Sequence, residues 1–194
     1  MAIKNMFDDA KALKTCGSEL IASWEDNGVR YDVVRHANSE GDRMSREHRN
    51  RLATMIRFSR ECGYVTFPER PIVTSGYSGL MNLVSVHGGV TFAEPVDAKH
   101  PELAYTYGFD TAHAGDVGRA FTVDFMRRQL EDLAEQIKVI APFSREYDDR
   151  LKQLEEDSDK YNDKVLNKIA SKAEKVLEHW QRGKKGSRSL GYKN

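Results

Sequence analysis

Glycine and proline are concentrated in the middle of this chain, and that concentration limits its fold more than any other feature. Eight of the 14 glycines and four of the five prolines fall between residues 63 and 118. Both residue types break helices and mark turns, so the middle should be short strands joined by loops. Runs rich in Val, Tyr, Phe and Thr place strands over residues 63–67, 83–87, 90–93 and 104–110. Gly88-Gly89 between the second and third runs is a two-residue turn signal, which makes residues 83–93 a candidate hairpin.

The flanks have helical periodicity. Residues 7–24 carry Ala10, Leu13, Leu20, Ile21 and Trp24, and residues 45–62 carry Leu52, Met55 and Ile56 behind Ser45 as a cap. Residues 122–140 repeat Phe125, Met126, Leu130, Leu133, Ile137 and Ile140, and Pro142 is expected to end that helix. Ser144 would cap a last long helix reaching about residue 182. The reading is α+β: a small antiparallel sheet (about residues 63–110) packed by flanking helices, with a long C-terminal helix. Its parts are a helical segment 1–62, an α+β core 63–143, the helix 144–182 and a basic flexible tail 183–194.

With 194 residues and 39% hydrophobic side chains, the chain can bury one modest core. No run of 18 apolar residues exists, and residues 1–9 lack the apolar stretch of a signal peptide, so no membrane is expected and a cytoplasmic setting is. Two cysteines, Cys16 and Cys62, cannot build a disulfide framework. The charge is even, 30 basic against 30 acidic residues, which makes nucleic acid a less expected partner.

Two motifs carry candidate chemistry. One is His87-Gly88-Gly89-Val90-Thr91, a histidine followed by a tight turn. The other runs from Gly108 to Asp116, with Asp110, His113 and Asp116 spaced three apart and small residues between them. If the strands converge, His87, Asp110, His113 and Asp116 could form a catalytic His/Asp acid–base group or hold a divalent metal. The competing reading is structural, with His87 bonding backbone and Asp110 capping a helix. Gly88, Gly89 and Thr91 would shape the ligand side of such a site. Arg46, Arg49, Arg57 and Arg60 fall within about 60° of one another on a helix starting near Ser45. They form either a solvated face or an anion-binding wall, since guanidinium bonds oxyanions in pairs.

The motifs resemble those of small tailed-bacteriophage proteins marked by HGG-(L/I)-T and GFD-x-AHAGD. Those relatives also carry a GYV-x-x-P element and an LAEQ-type run. Here the counterparts are Gly63-Tyr64-Val65-Thr66-Phe67-Pro68, His87 to Thr91, Gly108 to Asp116 and Leu133-Ala134-Glu135-Gln136, so the resemblance covers about residues 62–140. Thr111 stands where many relatives have Cys, which removes a thiolate there, and Arg70-Pro71 stands where His-Pro is common. The resemblance implies a phage origin and an accessory role in the infected bacterial cell, and it brings no activity with it. An accessory phage protein with a His/Asp site and an arginine wall suggests a nucleotide-like phosphorylated ligand, such as the signals of bacterial defence systems. The chain would either hydrolyse a phosphodiester or pyrophosphate bond or hold the molecule intact. The alternative is a protein–protein inhibitor working through the C-terminal helix, which could also mediate homo-oligomerisation.

Overall fold

The computed structural model describes residues 18–36, 60–72, 79–100, 103–111, 116, 121–154 and 163–190. It is an α+β protein. Five strands, β1 (Ser18–Asp26), β2 (Val29–His36), β3 (Arg60–Phe67), β4 (Phe92–Pro95) and β5 (Tyr105–Asp110), form one antiparallel sheet in the order β1-β2-β3-β5-β4. Two helices follow, α1 (Val123–Gln153) and the C-terminal α2 (Lys164–Leu190), with a short 3-10 helix at Gly79–Leu83 between β3 and β4.

The sheet begins earlier than the glycine pattern suggests. β1 and β2 form a hairpin across Asn27-Gly28, whose φ angles of 50° and 73° suit a primed two-residue turn matching strand twist. The expected helix over 7–24 is therefore a strand from Ser18 onward, and residues 7–17 lie outside the described residues. Leu20 and Trp24 have helical spacing, but alternation across β2 and the Asn-Gly turn outweigh it. Of the helix expected over 45–62, residues 60–62 are strand: β3 begins at Arg60 and pairs with β2 from Arg30↔Thr66 to His36↔Arg60, while residues 45–59 lie outside the described residues.

Strand alternation sorts the side chains onto two faces. One face holds Tyr31, Val33, Val65, Tyr107 and Phe109, each at most 3% exposed. The start of α1 packs there. A Cβ placed on Gly63 would lie 2.7 Å from the Phe109 ring and 3.0 Å from Leu130 of α1, so the absent side chain lets helix and sheet approach. Burying each large apolar side chain on this face contributes about 1.5–3 kcal/mol. The other face sets an apolar cluster of Val34, Tyr64, Cys62 and Phe92 beside buried polar groups. Asp32 receives a forked set of hydrogen bonds from Arg30 at 3.1–3.2 Å, and the hydroxyls of Thr66 and Thr106 share one at 2.9 Å.

The segment over 83–87 is not a strand, and residues 83–93 are not a hairpin. Its backbone is bonded by helix amides instead of a neighbouring strand. Gln136 receives the Ser85 N–H (2.9 Å) and donates to the Ser85 carbonyl (2.8 Å), while Gln129 receives the His87 N–H (2.8 Å).

Thr122 caps α1 by accepting the Phe125 N–H at 3.1 Å. The helix then runs through Pro142 instead of ending there. Buried Ile137 and Ile140 before the proline and Ser144 and Asp148 after it keep one packed face continuous, which outweighs the lost backbone hydrogen bond. Ser144 is thus not a cap; its hydroxyl donates to Asp148 at 3.1 Å within the helix. Nor is there one helix from 144 to 182. α1 ends at Gln153, and α2 starts afresh at Lys164 under Asp163, which accepts the N–H groups of Val165 (2.9 Å) and Leu166 (3.1 Å). Arg150 of α1 is paired with Asp163. The backbone over 183–190 continues α2 as helix.

The described chain divides into two compact units. One comprises Met1–Arg70 and Val86–Leu133, and the other Pro71–Ser85 and Ala134–Asn194. The first is the sheet with the opening turns of α1. The second is helical, with Ile72, Leu80 and Met81 buried along with Ile137, Ile140, Leu166, Ile169, Ala173 and Leu177.

Candidate functional site

Among the described residues, the first unit presents one histidine–carboxylate pair drawn from the expected site residues. His87 occupies the second position of a turn closed by the Gly89 N–H to the Val86 carbonyl at 3.0 Å. Gly88 follows with φ 70°, the left-handed value that the third position of a type II turn requires. The turn lifts the imidazole off the chain, and Gln129 fixes its backbone. His87 Nε2 meets Asp116 Oδ2 at 2.8 Å. The Asp116 side chain is 5% exposed and that of His87 22%, so the carboxylate sits behind the ring and the ring is the outer partner. Phe121 and Phe125 stand beside the imidazole at 5.1 and 5.5 Å between ring centroids.

A buried carboxylate against one imidazole nitrogen fixes the tautomer and the orientation of the ring, leaving the other nitrogen for proton transfer. Phe121, Phe125 and Gln129, which orient His87, escape the motif reading. Phe125 and Gln129 are four apart on α1 and so share a face, but nothing in their types distinguishes them from core and surface residues.

The remaining expected residues are distributed otherwise. Asp110 ends β5 opposite Cys62, on the sheet face away from Phe109 and Leu130. There its charge acts on Tyr64. Among the described residues, no group of three or more His, Cys, Asp or Glu is placed to hold a metal ion, so His87, Asp110 and Asp116 make no such trio. His113 lies outside the described residues, as do Arg46, Arg49 and Arg57. Arg60 opens strand β3, so it does not continue a helical arginine face. Gly88 and Gly89 shape the His87 turn, and the Thr91 N–H donates to the Gly108 carbonyl at 2.8 Å, joining this segment to β5. Tyr105 and Tyr107 are buried packing residues.

A second polar network lies on the sheet face opposite Phe109. Ser18 Oγ and His36 Nδ1 are 2.8 Å apart, and His36 Nε2 is 3.1 Å from the Tyr64 hydroxyl. Burial pushes the His36 pKa down. Tyr64 is pushed up by burial first, and also by Cys62 and Asp110. This end of the sheet therefore favours a neutral imidazole and a neutral phenol.

No family model, curated protein or solved structure matches the chain. Among the described residues no helix is long and apolar enough to cross a membrane.

Proposed function

We propose that this chain binds a nucleotide-like phosphorylated small molecule and that His87 transfers protons in cleaving its phosphodiester or pyrophosphate bond. The observation that carries the reading is the 2.8 Å contact between His87 Nε2 and the buried Asp116 carboxylate. In that arrangement the Asp116 carboxylate accepts a hydrogen bond from Nε2–H and stabilises the imidazolium that forms during reaction. Nδ1 takes a proton from the attacking water and returns it to the departing oxygen, a role worth about 10²–10⁴-fold in rate. The rings of Phe121 and Phe125 give a planar base an apolar wall next to the reacting group. Arg46, Arg49 and Arg57 and the imidazole of His113 enter from their sequence positions alone, as phosphate-binding and metal-binding or acid–base partners. A phage accessory role, including action against a nucleotide defence signal, is supported by the motif resemblance over residues 62–140.

The test incubates purified protein with cyclic dinucleotides, ADP-ribose derivatives and related compounds, filters the mixture, then denatures the retained protein and chromatographs both fractions. Conversion by the wild type, at least about 100-fold slower in His87→Gln and in Asp116→Asn, is the expected result. A compound retained and recovered intact would replace hydrolysis by sequestration. Neither conversion nor retention of any compound overturns the proposal. Activity that disappears on exhaustive chelation and returns with divalent metal would bring His113 in as a ligand.

A further inference from the structure

Helix α2 is strongly basic, with eight Lys and Arg residues against Glu174 and Glu178. Its charges are not spread around it. At 100° per residue, Lys164, Lys168, Lys172, Lys175, His179 and Arg182 fall within a sector of about 80°. All six are exposed. Leu166, Ile169, Ala173 and Leu177 occupy roughly the opposite side and are at most 3% exposed. The buried residues thus fix which side of the helix the cations take.

A merely solvated helix surface ordinarily alternates signs, because Glu–Lys pairs three or four apart stabilise it and like charges at that spacing destabilise it. Here Lys164, Lys168 and Lys172 follow one another at intervals of four. The two acids lie to one side of the stripe, not within it. Among the described residues no ion pair engages any of these five Lys and Arg side chains, whereas Lys184, on the buried side of α2, is paired with Glu135.

We infer that this face of α2 binds the phosphate backbone of double-helical nucleic acid. From Lys164 to Arg182 the helix extends about 27 Å at 1.5 Å per residue, the length of roughly eight base pairs at 3.4 Å each. A row of cations of that length can meet several backbone phosphates at once. An anionic membrane suits the helix less well, because an interfacial helix must insert its apolar side, and here that side is already buried in the protein. A protein partner would need an apolar patch, and Val165 and Val176 are isolated exposed side chains at the margin of the stripe. Contacts of this kind read no sequence, so the binding is non-specific and salt-dependent.

The experiment is fluorescence anisotropy with a 20-base-pair duplex of arbitrary sequence, over a series of salt concentrations. Two double variants of equal net charge are compared with the full chain: Lys168→Gln with Lys172→Gln on the stripe, and Lys138→Gln with Lys152→Gln on exposed positions of α1. Circular dichroism checks that both keep the helices. The stripe variant should bind at least about fivefold more weakly, and its plot of log K against log salt should be shallower by about two. The α1 variant should follow the wild type. Absence of duplex binding by the wild type at low salt, or an equal loss in both variants, overturns the inference. So does binding to phosphatidylserine vesicles without binding to the duplex.

Discussion

Single side chains, and in places their absence, decide how closely the parts of the first unit approach. Gly63 and Gly108 sit under aromatic rings: a Cβ on the first would meet Phe109 at 2.7 Å, and one on the second would meet Tyr64 at the same distance. Gly63→Ala should therefore destabilise the protein by about 1–3 kcal/mol, through strain between β3, β5 and α1, read as a lower urea midpoint at unchanged slope. Asp163 makes a pH prediction. Hydrogen bonding to Arg150, then to the Leu166 and Val165 amides, holds its pKa at about 2 against an ordinary 3.8. Its contribution is complete above pH 4 and is lost as the pH falls through about 2. Wild type should thus lose helical signal between pH 4 and 2, and Asp163→Ala should lose less of it there, having surrendered that contribution at every pH. At this scale the sequence was partly legible. His87 and Asp116 were recognisable as chemistry-bearing types in a small-residue setting. Their convergence, across 29 residues, is an expectation of the strand pattern, but which carboxylate meets His87 is not, since that depends on a turn and on α1; Asp110, offered by the same motif, lies by alternation along β5 on the sheet face away from Phe109.

The secondary-structure elements show local rules yielding to packing. Pro142 stands inside α1, exposed, with buried residues on either side of it in sequence. Replacing it with Ala should restore a backbone donor and remove a ring clash, raising stability by about 1–3 kcal/mol; a Tm that rises by several degrees would check this. A proline ends a helix only where no tertiary face rewards continuing it, which the pattern around 140–150 did not reveal. The β1–β2 hairpin is the opposite case. Asn27-Gly28 followed by Val29, Tyr31 and Val33 is a readable turn and alternating strand, yet Leu13, Leu20 and Trp24 satisfied a helical spacing and drew the boundary too far along. β3 and β5 were legible because Val, Tyr, Phe and Thr dominate both and glycines interrupt them.

For the molecule as a whole, chain order and compactness do not coincide. Pro71–Ser85 lies between β3 and β4 in sequence but belongs with Ala134–Asn194. Leu80 and Met81 are buried in that unit, and Ser85 is held at both backbone groups by Gln136. Hydrogen exchange followed by mass spectrometry should show residues 79–85 opening with the same free energy as α2, and differently from β3 and β5. Equal protection of residues 79–85 and the sheet strands would contradict that grouping. The α+β class was readable from the segregation of glycine and proline. This grouping was not, because it depends on which helix amides reach an extended segment.

The described sheet ends in β1 and β4, and neither edge invites a second copy to polymerise onto it. β4 has four residues and finishes in Pro95, which has no amide hydrogen to offer. β1 is longer, but its register with β2 shifts between Leu20 and Ala22, and Glu19, Glu25 and Asp26 add negative charge along it. Among the described residues, the register shift and these charges thus make the nine-residue β1 a poor template for amyloid-like growth.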